Sequence, residues 1–300
     1  MAIKKLKLVE LTKQNWPVRW QALTEFCKIE LGLELTAEIR QCTDENFKNQ
    51  LKDVLSSQTD ICVLDEDYSV EVLCHISQVT AESIQLGAVD ILIRDETGWW
   101  PRPCLEAAMI KTISQKVGLI SFDSHALIGG VNGFAKMAVG ALAKMGFLNI
   151  NIVEKSEELG AALIKEVKKK YFQVNFSFIG FDEVTKLPGI HLLLMNTIPL
   201  TFENEILDEL YFFNFLDRKG VVMDLTMPPA NTPLVLEAEQ WGARRLSGDY
   251  FWCERDALMI QKATGLKINS EAYRTLLRSI VDAAPFEPAA YLKRFRERGQ

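Results

Sequence analysis

The chain has 300 residues, 48% of them apolar, with 34 basic and 40 acidic side chains and a net charge of -6. That is apolar material for two cored domains or one large one, and the mixed charges leave no electrostatic footprint for nucleic acid or an anionic membrane surface. No apolar window approaches the length that crosses a bilayer, which predicts a cytoplasmic protein.

From the N-terminus, KLKLVEL, LELTAEIRQC, DICVLD and AVDILIR read as strands. The segments between them, PVRWQALTEFCKIELG, DENFKNQLKDVLSS and SVEVLCHISQVTAESIQLG, have helical spacing of apolar residues. Alternating strands and helices predict a first α/β unit with a largely parallel sheet. WWPRP, residues 99–103, reads as a rigid, bulky entry to the helix CLEAAMIKTISQKVG. The pattern then begins again: HALIGGV, NINIVE, VNFSFIG, HLLLMN and VVMDLT read as strands covered by helices on both faces. Between two of them the run KEVKKKYF is read as a solvated helix face. The chain ends in helices, FWCERDALMIQKATG, SEAYRTLLRSIVDA and PAAYLKRFRERGQ. No repeat or low-complexity tether interrupts it, so the domain boundary is placed in an ordered helix near residues 104–118.

Cysteines 27, 42, 62, 74, 104 and 253 show no CxxC and no paired spacing, and so read as reduced thiols. His75, His125 and His191 all sit in apolar contexts, and no metal site is expected.

The stretch ALIGGVNGFAKMAVGALAKMG runs a strand into a glycine turn and an alanine-rich helix. Bare amides and the helix dipole make such a turn a place for nucleotide phosphates. Gly130 gives the tight turn, and Val131, Asn132, Gly133 and Phe134 follow it. The pattern is G-x-N-G, short of a full dinucleotide fingerprint, and the same glycines also serve plain helix-on-sheet packing. Glu154 ends the next strand, 24 residues beyond Gly130, where an acid accepts from ribose hydroxyls. Lys155 and Ser156 beside it could meet a 2′-phosphate, whereas Glu154 would repel one, so NAD is preferred over NADP. A further alternative is that the bulk of Asn132 and Phe134 keeps a pyrophosphate out altogether.

Taken together, several segments resemble the shikimate dehydrogenase family, two-domain α/β oxidoreductases dependent on NAD(P). GAVDILIRDETG is similar to the family's GAVNT strand, GGVNGFAKMAVGALAKMG to its GAGGAARA turn and LLLMNTIPL to its NATP segment. VVMDLTMPPANTPLVLEAEQWGARRLSG is similar to D-x-x-Y-x-P-x-x-T-P-L-L, and GDYFWCERDALMIQKATG to the G-x-x-M-L-x-x-Q helix. The resemblance implies a substrate domain of residues 1–105 plus 249–300 and a Rossmann-type NAD(P) domain of residues 106–248, with the C-terminal helices returning to the first domain. It also implies that residues 130–134 and 154–156 hold the cofactor and that Asn196, Thr197 and Ile198 pass close to the nicotinamide.

The substrate half departs from the family. QNWPVRW, with Asn15 and Trp16, stands in place of the S-x-S-P turn. Ser69 stands where the catalytic lysine belongs, and there is no lysine between Lys52 and Lys111. Cys104, Leu105 and Glu106 replace NTD, Asp90 replaces the asparagine of GAVN, and Arg255 replaces the glutamine of the last motif. Without the ammonium, Glu106 and Asp90 are the acid/base candidates, their pKa raised by mutual repulsion and by an apolar rim of Trp99 and Trp100. Arg255 is the candidate clamp for a substrate acid, with Asn15, Arg102 and Tyr250 as further substrate contacts. Structural roles are open for the same residues: Glu106 as a helix N-terminal carboxylate, and Arg255 as a surface residue paired with Glu254 or Asp256. The expected function is dehydrogenation of an anionic hydroxy or amino compound other than shikimate, by a monomer or homodimer. The alternative is a non-catalytic dinucleotide-binding or regulatory protein.

Overall fold

A computed structural model describes residues 5–14, 16–118, 121, 123–199 and 209–283. The chain forms two compact units. The first takes residues up to Thr112, then Asn132–Gly140 and Phe251–Ile280; the second takes Ile113–Val131, Ala141–Tyr250 and the chain from Val281. The helices after residue 250 thus return to the first unit, while the predicted helix at residues 288–300 lies outside the described residues.

The first unit holds a five-stranded sheet of order β2-β1-β3-β4-β5. Its strands are β1 (Lys5–Thr12), β2 (Glu34–Gln41), β3 (Ile61–Leu64), β4 (Ile91–Asp95) and β5 (Gly98–Arg102). β1 lies parallel to β2 and β3, with Val9 opposite Cys62, but β4 and β5 run antiparallel, with Cys62 opposite Leu92 and Ile93 opposite Trp100. The expected largely parallel sheet is therefore mixed. The reason is that β4 runs opposite to β3; the stretch that reads as a helix entry, WWPR, is an edge strand beyond it, joined to β4 by a tight turn in which Asp95 accepts from the Thr97 N–H and hydroxyl. A proline is tolerated on an edge, where one side of the strand has no ladder partner.

Helix α1 (Pro17–Leu31) starts with proline at its first position, and α2 (Phe47–Ser56) follows β2. The single helix expected over 69–87 is broken in two. α3 (Tyr68–Glu71) runs into a 3-10 turn at Val72–Cys74, and α4 (Ala81–Leu86) begins afresh. Thr80 causes the restart: its hydroxyl accepts from the Ser83 N–H while the Ser83 hydroxyl accepts from the Thr80 N–H, a reciprocal cap. Val9, Leu11, Phe47, Leu51, Leu64, Tyr68 and Leu92 form a core of this unit, with the Phe47 and Tyr68 rings stacked 4.2 Å apart. α5 (Cys104–Lys116) leaves β5.

The second unit holds six parallel strands of order β11-β10-β9-β6-β7-β8. They are β6 (His125–Gly129), β7 (Asn149–Glu154), β8 (Asn175–Gly180), β9 (His191–Asn196), β10 (Leu216–Asp224) and β11 (Arg244–Leu246). This is the doubly wound Rossmann order, and it reverses between β6 and β9. Helices α6 (Gly133–Met145), α7 (Glu157–Lys168) and α8 (Pro233–Trp241) come from the same stretch of chain, followed by α9 (Gly248–Thr264) and α10 (Ser270–Ala283). Leu127, Val153, Leu194, Phe213, Phe215, Val222 and Leu234 pack its core.

All six cysteines are free, and Cys74 alone among them is exposed. No group of three or more metal-ligating side chains occurs among the described residues, and no helix described is long and apolar enough to cross a membrane.

Candidate functional site

In doubly wound sheets, ligands bind at the carboxyl ends of the strands where the order reverses, here the ends of β6 and β9. β6 runs into Gly130, whose φ is 101°; a Cβ there would stand 2.7 Å from the Thr197 hydroxyl. Only glycine takes both that backbone angle and that approach. The Thr197 hydroxyl donates to the Gly129 carbonyl at 2.7 Å, and the Asn196 amide donates to Asp224 at 2.9 Å and to the Ile198 carbonyl at 3.1 Å. Asn196, Thr197 and Ile198 are thus fixed beside the turn, through their own hydrogen bonds and the packing of Ile198 in the core. Burial raises the pKa of Asp224, against hydrogen bonds from Thr232, Thr226 and Asn196.

At the end of β7, Glu154 is half-buried and accepts from the Lys155 N–H at 2.8 Å. Lys155 is exposed, and the Ser156 hydroxyl caps α7 by accepting from the Leu159 N–H. A carboxylate at the end of the second strand and a close glycine turn at the end of the first fit the adenosine half of a dinucleotide. The residues that would hold it are Gly130, Val131, Glu154, Lys155 and Ser156.

The first turn of α6 belongs to the first unit and carries a different set of partners. Asn132 is its cap, its side-chain oxygen accepting from the Ala135 N–H at 2.9 Å. Phe134 is buried edge-on against Trp252, ring centres 5.6 Å apart. Phe134 is thus engaged by packing, while the Asn132 side chain itself takes one N–H of the α6 N-terminus. What takes the Gly133 N–H is main chain: the Glu66 carbonyl accepts from it at 3.2 Å, and the Ser69 hydroxyl lies where a Gly133 side chain would be. Ser69 is buried and donates to the same carbonyl at 3.0 Å.

Asp90 and Glu106 are 0% and 1% exposed. The Arg255 Nε donates to Asp90 Oδ2 at 2.7 Å and its Nη2 to the Asp90 carbonyl at 3.2 Å, while the Leu105 N–H also reaches Oδ2. Burial raises the pKa of Asp90, and Arg255 opposes the rise. Arg255 is itself 1% exposed, which overturns the surface alternative. Its sequence neighbours serve others: Asp256 takes Arg19 and the Tyr273 hydroxyl, and Glu254 takes Lys111 and Ser270. Glu106 occupies the first turn of α5, where the helix dipole favours a carboxylate.

The expected tryptophan rim does not form, because Trp99 and Trp100 are successive strand residues and point to opposite faces. The Trp99 ring N–H donates to the Leu55 carbonyl and that of Trp100 to the Thr97 hydroxyl. Arg102 lies over the Trp100 ring at 5.9 Å, and Tyr250, in the second unit, lies under the Lys116 ammonium at 5.2 Å. Asn15 lies outside the described residues.

The sequence reading missed Glu66. It stands two residues past β3, half-buried, and burial followed by the charges of Asp65, Asp67 and Glu10 raises its pKa to about 7, against its own backbone N–H. Its signal in the sequence is DED at a strand's carboxyl end.

No family model matches the chain. It is 20% identical to a shikimate dehydrogenase (NADP(+)) of Shouchella clausii over 250 residues, 83% of this chain and 89% of that one. Its fold is similar to that of shikimate 5-dehydrogenase of Thermus thermophilus in complex with NADP(H) and shikimate, with a TM-score of 0.73 and 19% identity over 92% of this chain and 99% of that one. It is also similar to quinate dehydrogenase of Corynebacterium glutamicum in complex with NAD, with a TM-score of 0.77 and 15% identity over 92% and 99% of the two chains.

Proposed function

We propose that this shikimate dehydrogenase-like chain is a nicotinamide-dinucleotide-dependent oxidoreductase acting on an anionic hydroxy or amino compound. The observation that carries the reading is the glycine turn at the end of β6, at the strand-order reversal, with Glu154 at the end of β7. When bound, the dinucleotide supplies a hydride acceptor. Gly130 and Val131 would lie along its pyrophosphate, Glu154 would accept from a ribose hydroxyl, and Thr197 would hold the turn closed through the Gly129 carbonyl. Glu154 favours NAD, since a 2′-phosphate beside it adds like charge. Ser69 in the lysine's place argues against shikimate as substrate, because the base that would take its hydroxyl proton is missing.

A second reading, a non-catalytic dinucleotide-binding protein, draws support from the burial of Asp90 and Glu106 and from the engaged Gly133 N–H. Calorimetry with NAD and NADP, followed by absorbance assays against a panel of hydroxy and amino acids that includes shikimate and quinate, separates the two. The proposal expects binding of a dinucleotide and turnover of a panel member other than shikimate. Binding without turnover favours the second reading, and absence of binding removes both.

A further inference from the structure

We propose that the outer edge of β2 is an interface with a second copy of this chain, the two β2 strands pairing antiparallel about a two-fold axis at Ala37. The proposal concerns the first unit alone and is independent of the oxidoreductase reading.

The edge comes first. β2 ends the five-stranded sheet, and among the described residues β1 is its only strand partner. It is 8 residues long, holds one register against β1 from end to end, and contains no proline, glycine or lysine. A long, regular edge offers a row of unpaired N–H and C=O groups to another strand, and proteins blunt such edges by shortness, proline or bulges. The other sheet edges are shorter: β5 has 5 residues and Pro101, β8 has 6 and β11 has 3. β2 carries none of these devices.

Charge selects the partner and the register. Outward-facing amides alternate along a strand, so antiparallel self-pairing sets residues of like parity opposite each other. The two registers of greatest overlap have their axis at Ala37 or at Glu38. An axis at Glu38 sets that carboxylate against its own copy, which like charge disfavours. An axis at Ala37 sets Glu34 against Arg40, Leu35 against Ile39, Thr36 against Glu38 and Ala37 against itself. Symmetry then gives the Glu34–Arg40 pair twice. Within the chain Glu34 pairs with Lys5 at 3.0 Å and Arg40 with Glu38 at 2.6 Å, neither of them a buried pair, so exchanging partners across the axis costs little.

The apolar surface beside the edge has the same symmetry. A groove of about 750 Å³ lies between α1 and β2, lined by Trp20, Thr24 and Lys28 of the helix and by Leu35, Ala37 and Ile39 of the strand. Leu35, Ala37 and Ile39 alternate along β2 and share one face of the sheet. With Leu35 set against Ile39 of the second copy, that floor continues from one copy into the next. A two-fold axis perpendicular to the sheet keeps both α1 helices on this face. Glu25 and Lys28 line the groove on α1 and are of opposite sign, so the two helices present complementary charges to each other.

The test is sedimentation velocity of the full chain across a dilution series, which is expected to show a species of twice 34.0 kDa that dissociates on dilution. Ala37→Lys sets two ammonium groups face to face at the axis and is expected to weaken the dimer at least about 10-fold. Ala37 is exposed, so the circular dichroism of that variant should match the unaltered chain. Glu34→Arg and Arg40→Glu, each turning two attractive pairs into two repulsive ones, are expected to raise Kd about 10-fold, and the double variant to return it to within about 3-fold. A monomer at about 100 μM, where even weak specific pairs associate, overturns the proposal. A dimer that Ala37→Lys leaves intact overturns the β2 edge as its interface. Loss in both single charge reversals without recovery in the double variant overturns the register centred on Ala37.

Discussion

The Arg255 guanidinium holds Asp90 in a pair with almost no exposure. Desolvating both charges is costly, and their attraction offsets that cost only while both partners are present. The Trp252 ring, 4.8 Å from the guanidinium, adds a cation–π contact on one face. Arg255→Met should therefore lower stability by about 3–5 kcal/mol by stranding the Asp90 charge. The double variant with Asp90→Asn should recover most of the loss, as read from urea unfolding. Additive losses in the double variant would mean that the two residues do not act as a pair. The resemblance points to both residues, Asp90 as an acid/base group and Arg255 as a substrate clamp, but a pattern of residue types carries no information on exposure. The same limit hid Glu66: burial, the largest cause of its raised pKa, is not written in the DED motif, and Glu10, which adds to it, is 56 residues away along the chain.

Elements show which parts of a fold are local. β7, β9 and α10 are found with the bounds read from sequence, since continuous apolar runs and an amphipathic helix are properties of the segment itself. The stretch 69–87 was misread because its apolar spacing is helical throughout, while the Thr80–Ser83 cap, two short polar side chains, restarts the helix. WWPR was misread because two prolines suggest a break; its pairing with β4 makes it a strand. The packing of α6 against α3 is likewise tertiary. Alanine at Gly133 would suit a helix better by about 1 kcal/mol, yet its Cβ would collide with the buried Ser69 hydroxyl. Gly133→Ala should lower the thermal midpoint, and pairing it with Ser69→Gly should recover stability beyond the sum of the two single changes. Equal midpoints for Gly133→Ala and the unaltered chain would refute the collision.

For the whole molecule, pH acts on each unit through its own buried groups. In the second unit, His191 accepts at Nε2 from the Asn151 amide at 2.8 Å and donates from Nδ1 to the Phe215 carbonyl at 3.0 Å, the bonding of a neutral ring. Burial, aided by His125, lowers its pKa. Its stabilising contribution is therefore complete above the unfolded value of about 6.5 and is lost as pH falls below it. Proton NMR of the imidazoles should place the His191 midpoint under 6.5, with unfolding of the second unit easing as pH falls below about 6.5. In the first unit Glu66 works in the opposite sense: its raised pKa weakens that unit as pH climbs from the ordinary glutamate value to about 7, above which the loss is complete.

The six thiols divide unequally. Five are shielded, and burial pushes the Cys27 thiol up to about 12, whereas Cys74 faces solvent on the 3-10 turn that follows the Glu66 segment. A maleimide fluorophore added to the unmutated chain would attach at one address, turning the bend after β3 into its own optical reporter of anything that docks there.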